Sequence, residues 1–398
     1  MLDINQVEVK KQNVKMGMEF NMSITKNTLK KKLPMWTEYT WANVDRLKRK
    51  AEKKGVSVKY YSIEQLRPKF LYLPSLIVGW GDSFHSTIDL LKQLPRDKIN
   101  LIACDRCLKK LVDNEVIPDL VTNLDAGPQI RPFYKTALSE MEQNKIASAL
   151  AICTDPREVQ WIHGPKYWYI PAITPWGNTL TDDTIKSIGY PCVPTAGNIG
   201  TASILLSRVL GVLPPYLLGI DFGWREWNNG KTEKSPELNT LNDREHEIWP
   251  YEMVKNENGK DVPKRGPDGK KIYTWSPDGS RIHSTQVLLA YAHATRHLML
   301  TYDLGAINIG GGVLHGPYID TVPGADARER MTNLINHLNN WKINDELIGR
   351  RMLYLTDPKK TPISAVQPPP RTGKGNPVLQ KLIDQSHAEA AKVDFNKP

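Results

Sequence analysis

The sequence predicts an α/β protein: a Rossmann-like, doubly wound, mostly parallel sheet with a β-hairpin insertion and helical or irregular terminal extensions. Three observations predict it. Short apolar runs alternate with helical patterns from about residue 75 onward, most runs stop at glycine or aspartate, and glycine-rich segments open several of the helices. Apolar runs without polar alternation suit strands buried on both faces, as in a parallel sheet covered by helices.

Residues 1–34 are polar and irregular and include Lys30-Lys31-Lys32. Trp41, Val44, Leu47 and Ala51 then recur at helical spacing, so residues 36–54 read as a helix stopped by Gly55. Strands are expected at 75–80, 99–104, 120–124, 147–153, 168–170, 216–220 and 306–309, with helices at 86–94, 108–114, 133–143 and 200–210 between them. Residues 224–282 are polar and carry Asn258-Gly259, Asp268-Gly269 and Asp278-Gly279, dipeptides that favour hairpin turns; they read as a hairpin insertion or lid. Residues 284–302 return to helix. Pro368-Pro369-Pro370 and Thr372-Gly373-Lys374-Gly375 read as linker, and 378–392 as a closing helix. The chain thus divides into a basic arm and helix (1–65), a nucleotide-binding domain (66–325, with the insertion) and a C-terminal helix, linker and tail (326–398).

Composition narrows the class. An apolar share of 40% with 11 tryptophans supports a substantial core rather than global disorder. No apolar run reaches the roughly 18–20 residues of a membrane helix, and the lysine-rich start has no apolar stretch of the signal-peptide kind. A cytoplasmic protein is expected. Cys104-x-x-Cys107 lacks the second ligand pair a zinc site needs, so these thiols read as core residues, like Cys153 and Cys192. Of the formal charge of +10, residues 1–60 carry most, with fourteen Lys/Arg against six Asp/Glu. That segment reads as a solvated extension or as an arm for an anionic partner, and no recognised nucleic-acid module accompanies it.

The candidate site lies at the strand ends. Gly79-Trp80-Gly81-Asp82-Ser83 leaves the first strand and opens a helix, where glycine backbone and free helix amides can meet a phosphate or simply form a tight turn. Asp105, Asp125 and Asp221 each follow an apolar run, with Asp119 nearby. In a parallel sheet the three converge on one edge, where they would hold Mg²⁺ between carboxylates and substrate phosphates, or cap helices. Gly197-Asn198-Ile199-Gly200-Thr201 opens another helix, and Asn308 precedes Gly310-Gly311-Gly312; both are candidate rim loops. His85 and His315 are candidate polar groups at the rim, and either could also act as acid or base. His293 and His297 lack a metalloprotease glutamate between them. Trp80, Trp176 and Trp224 are candidates to stack on a planar ring, or core residues.

Taken in order, these segments resemble the MptE-like family of archaeal 6-hydroxymethyl-dihydropterin diphosphokinases. Val78-Gly79-Trp80-Gly81-Asp82-Ser83 resembles its G-x-G-P-S helix start, with Asp82 in the proline's place. Ala103-Cys104-Asp105 resembles its a-x-D step, and Ile117-Pro118-Asp119 through Asp125 its I-x-P-D-x-x-x-x-x-D motif. Gly197 to Ser203 is similar to its glycine-rich helix start, and Leu218-Gly219-Ile220-Asp221 to its G-x-D strand end. Asp278 to Ser284 resembles its G-x-x-V-x-T lead, and Asn308 to Gly316 its closing N-x-x-x-G-G. The resemblance spans roughly residues 70–320. It implies a nucleotide-dependent transferase, in two versions. In one, ATP with Mg²⁺ gives a diphosphate to a pterin hydroxymethyl group, with Asp105, Asp125 and Asp221 on the metal and Asp125, Asp221 and His85 as catalytic candidates. Gly79, Gly81, Asp82, Ser83, Gly197, Asn198, Gly200, Thr201 and Asn308 would then hold the nucleotide. In the other, shared with the central domain of motility-associated factors, a CMP- or other nucleotide-activated sugar is transferred to a glycan or protein acceptor. A non-catalytic scaffold, possible as a homo-oligomer, is the third reading.

Overall fold

The computed structural model describes residues 31–71, 73–172, 179–212, 214–225, 253–255, 261–263, 272–275, 281–315 and 319–341. Residues 31–53 are helical (α1). The parallel strands that follow are β1 (Ser75–Val78), β2 (Asn100–Cys104), β3 (Leu120–Asn123), β4 (Ala147–Ala151), β5 (Lys166–Ala172), β6 (Cys192–Pro194) and β7 (Tyr216–Leu218). Helices α2 (Asp82–Thr87), α3 (Cys107–Asp113), α4 (Thr179–Ile188) and α5 (Ile199–Leu210) lie between them. The insertion contributes β8 (Trp224–Arg225), β9 (Met253–Lys255), β10 (Asp261–Pro263), β11 (Ile272–Trp275) and β12 (Arg281–Ser284). It is followed by α6 (Gln286–Thr301), β13 (Ala306–Asn308), β14 (Ile319–Thr321) and α7 (Ala327–Asn340).

Among the described residues nine strands form one sheet, in the order β14-β13-β7-β1-β2-β3-β4-β5-β6, with every neighbouring pair parallel. The fold class expected from the sequence is the one observed. Alternate residues of each strand feed opposite layers. Ile77, Ile102 and Ala149 meet Leu205 of α5 and Leu298 of α6 on one face. Leu76, Leu101 and Ala103 meet Phe84 of α2, Leu111 of α3 and Met331 and Leu334 of α7 on the other. That second layer continues where Val44 and Leu47 of α1 cover Leu150, Trp168 and Ile170. Burying each such side chain contributes roughly 1.5–3 kcal/mol.

Two strands escaped the sequence reading, β6 and β14, because each is three residues long and broken by a proline or an aspartate, so neither forms an apolar run. The helix expected at 133–143 is two turns, Arg131–Tyr134 and Glu140–Gln143. Ser139 and Glu142 form a reciprocal capping box that restarts the helix there. The helix expected at 86–94 begins earlier, at Asp82, and tightens to a 3₁₀ turn over Ile88–Gln93. The insertion contains antiparallel pairs, β9 with β10 and β11 with β12, as the Asn-Gly and Asp-Gly signals predict. Asp268-Gly269, Trp176, the proline-rich linker and the closing helix lie outside the described residues. Among the described residues no helix is long and apolar enough to cross a membrane.

Topology places the site. The chain starts in mid-sheet at β1, steps outward through β2 to β6, and returns along α5 to β7 on the other side of β1. Strand order reverses between β1 and β7, and open α/β sheets bind ligands beyond the carboxyl ends of their strands at such a point.

Candidate functional site

Strands β7, β1, β2 and β3 are adjacent. Their carboxyl ends lead into Asp221, the 79–83 turn, Asp105 and Asp125, so the three aspartates share one edge. They do not share one site. Among the described residues no group of three His, Cys, Asp or Glu side chains is placed to hold a metal ion. The expected three-carboxylate cluster is thereby corrected: the aspartates separate into a clamp and a pair.

Asp221 is the clamp. It is buried, its Oδ2 accepts the Ser83 N–H at 2.8 Å and its Oδ1 the Ser83 hydroxyl at 2.7 Å. The same hydroxyl oxygen accepts the Gly219 N–H at 2.8 Å, closing a ring between the β7 end and the first turn of α2. The neighbouring glycines are spaced around it. A Cβ on Gly81 or Gly310 would collide with the Asp221 carboxylate, one on Gly312 with its backbone, and one on Gly79 with the Gly219 carbonyl. The Val313 N–H also reaches the Asp221 carbonyl at 2.6 Å. Gly79, Gly81, Ser83 and Asp221, the residues expected to touch a nucleotide or metal, interlock three loops. Asp82, half-buried at the first position of α2, stays at the rim.

Asp105 and Asp125 form the pair. Asp105 is buried, and its carboxylate accepts the Arg106 N–H at 2.8 Å and the Asn123 side-chain amide at 2.9 Å. Burial first, and the charge of Asp125 second, push its pKa up to about 7, against the two hydrogen bonds. Asp125 keeps an exposed surface, although protein crowds its carboxylate. Loss of water raises its pKa, while Lys32 of α1 and a Gln129 hydrogen bond oppose the rise. Behind the pair, Asn123 accepts from the Thr154 hydroxyl at 3.0 Å, and Tyr169 donates to the Asn123 carbonyl at 2.9 Å. Asn43 of α1 ties the β4 end through the Ile152 and Thr154 carbonyls at 2.9 and 2.7 Å. Sequence reasoning missed Asn123 and Thr154. The signal was the polar Thr122-Asn123 inside an otherwise apolar strand, which a buried strand tolerates only when its polar groups are satisfied.

The remaining rim candidates are largely occupied in holding the fold. Asn198 caps α5: its Oδ1 accepts the Thr201 N–H at 2.8 Å and its amide donates to the Thr201 hydroxyl at 2.7 Å. Thr201 also meets Thr295 of α6 at 2.5 Å. Gly197 turns the chain with φ of 81°, and a Cβ on Gly200 would crowd Asn198 and Ile220. Asn308 folds its own loop, accepting from Gly310 and Gly311 and donating to the Leu314 carbonyl. Asp119 lies at the opposite edge, paired with Arg96 and with Lys69 at 3.3 Å.

His85 Nδ1 lies 2.5 Å from the Lys110 ammonium, and its ring meets Trp80 edge-on at 4.6 Å. Burial first, then Lys110, lower its pKa to about 4, so the imidazole is neutral near pH 7 and accepts from Lys110. The Arg106 guanidinium sits 5.1 Å over the Trp80 ring. Trp224 stacks on His283 at 6.5 Å. His293 is buried, its pKa lowered to about 3 by burial and then by Arg296 and His315. The four cysteines are free thiols: Cys104, Cys107 and Cys153 are buried, as core residues would be, with burial pushing Cys104 up to about 12, whereas Cys192, expected in the core, is exposed.

The family model described as 6-hydroxymethylpterin diphosphokinase MptE-like matches residues 50–226, which include β1 to β7, the 79–83 turn and all three aspartates. Of the curated proteins compared, none matches. A solved structure of the MAf glycosyltransferase from Magnetospirillum magneticum AMB-1 is similar over 73% of this chain, at 17% identity and a TM-score of 0.41. The chain spans 43% of that protein's length.

Proposed function

We propose that this chain, whose residues 50–226 match the MptE-like family model, is a nucleotide-dependent transferase that moves a diphosphate from ATP to the hydroxyl of a small, pterin-like hydroxymethyl acceptor. The family match supports the transferase class. The finer reading rests on one observation, the Asp105–Asp125 pair beside the switch point. Two carboxylates whose pKa values are raised by loss of water, with Asp125 further raising Asp105, fit a divalent cation. Asp105 and Asp125 would hold Mg²⁺, and Asp221, engaged by Ser83, would not. Bound Mg²⁺ supplies charge neutralisation on the phosphate oxygens.

The protein's own residues then align the reactants. The acceptor oxygen bonds to the β-phosphorus as the bond from that phosphorus to the α-bridging oxygen breaks. AMP leaves, and the hydroxyl proton passes to solvent. Asn123 and the Arg106 amide fix the orientation of Asp105.

A thermal-shift panel tests this reading. ATP with Mg²⁺ should raise the melting temperature, and Asp125→Asn should abolish the rise. Stabilisation by CMP or UDP irrespective of metal would replace diphosphate transfer with transfer from a nucleotide sugar. Indifference to every nucleotide would leave the domain a scaffold and overturn the proposal.

A further inference from the structure

The opposite edge of the sheet carries a second feature, independent of the aspartates. On α1, Arg46, Lys50 and Lys54 recur every four residues, and α1 lies against β5, which starts at Lys166. Steps of four advance about 6 Å along a helix, so the three cations form a row about 12 Å long. Among the described residues no carboxylate pairs with any of these four. Lys166 donates to the Gly164 carbonyl at 3.3 Å, and aromatic rings flank the two lysines of the helix. Lys50 lies 5.0 Å over Tyr61 and Lys54 5.7 Å over Tyr60, which is 53% exposed and meets Tyr61 edge-on. Tyr167, next to Lys166, is half-buried.

We propose that this row, with Lys166 and Tyr60, is a binding surface for single-stranded nucleic acid. Uncompensated like charges held together repel, and a polyanion relieves the repulsion while releasing its own counterions. The cost of the arrangement shows in the lysines. Lys50 has a lowered pKa, through desolvation and then through Lys54 and Arg46, and Lys166 is lowered through desolvation and then through Lys50 and Arg46. An evenly spaced row suits the repeating phosphates of an extended strand, and an exposed tyrosine at its end offers a face for a base. The aromatic element separates a nucleic acid from other polyanions, because only the nucleic acid has a base to stack.

The test is fluorescence anisotropy of a labelled single-stranded oligonucleotide of about twenty nucleotides, titrated with the full chain over a range of salt. Inorganic polyphosphate and phosphatidylserine vesicles serve as competitors. Binding is expected, and Arg46→Gln/Lys50→Gln/Lys54→Gln should shrink the slope of log K against log salt by about two units, at about 0.7 per phosphate contact. Tyr60→Ala should weaken the oligonucleotide at least about fivefold while leaving polyphosphate unchanged. Circular dichroism identical to the parent shows that the variants fold. No oligonucleotide binding, a salt slope unchanged in the triple variant, or equal loss of both ligands in Tyr60→Ala would overturn the proposal. So would vesicles that compete as well as unlabelled oligonucleotide. None of these outcomes depends on the Asp105–Asp125 pair, so this surface and the proposed transfer stand or fall separately.

Discussion

Replacing Asp221 by asparagine separates a clamp from a metal ligand. The carboxylate accepts two hydrogen bonds from Ser83, and Ser83 Oγ in turn accepts from Gly219. Asparagine keeps the shape but offers one acceptor. If its oxygen takes the Ser83 N–H, its amide group faces the hydroxyl, whose proton then has lost its partner. Hydrogen bonds to a charged group contribute roughly 1.5–3 kcal/mol and a stranded buried donor adds roughly 1–3, so the substitution should cost about 2.5–6 kcal/mol. At about 2–4 °C per kcal/mol for a domain of this size, the melting temperature should drop by about 5–24 °C. Urea unfolding without nucleotide or metal is the assay, and the midpoint should fall at constant m-value. Gly310→Ala should act in the same direction, because its methyl group would drive into the same carboxylate. If ligand-free Asp221→Asn proved as stable as the parent, yet lost all response to ATP and Mg²⁺, the clamp would be wrong and Asp221 would be a metal ligand.

Two further predictions follow from the raised and lowered pKa values. The folded-state pKa of Asp105 is pushed up from the usual carboxylate range to about 7. Its contribution to stability is therefore full below about pH 4 and is lost as the pH rises through about 7, an upper limit of about 4 kcal/mol over roughly three units. Metal-free protein should melt lower at pH 8 than at pH 5, and Asp105→Asn should flatten that difference in a thermal-shift series; an unchanged slope would refute the burial of a charge there. His85, lowered to about 4, should show no chemical-shift titration between pH 5.5 and 8 by NMR, whereas an inflection near 6.5 would mean that the contact with Lys110 is not formed in solution.

The sheet was legible because its strands are apolar runs bounded by glycine and aspartate. All seven expected strands lie within two residues of the observed limits at either end, and β5 runs two residues further each way, through Lys166-Tyr167 and Pro171-Ala172, which interrupt its apolar signal. The edge that gathers the aspartates was legible for the same reason, since a parallel sheet forces every strand end to one side. What each aspartate does there was not. A residue's neighbours across the edge come from loops far apart in sequence: Asp221 meets Ser83 and Gly310, and Asp105 meets Asn123. Asn198 and Asn308 show the same limit. Both read as polar rim groups, and both fold back on their own loops, a local bond that spacing alone does not distinguish from a ligand contact.

The backbone after each strand explains why three similar aspartates diverge. After β7 the chain turns through Gly219, with φ of 69°, and Phe222 also takes a positive φ, 49°. These turns bring Asp221 against the start of α2, where unpaired helix amides attract a carboxylate. Asp105 instead follows β2 into α3 and remains beside Asn123 on the neighbouring strand, with its second charge, Asp125, two residues further along that same chain. One carboxylate is therefore neutralised by its own protein and two are left opposing each other. Only the second arrangement stores a repulsion that a bound cation or a proton relieves, which makes the β2–β3 edge, rather than the glycine turn after β1, the place to look for chemistry.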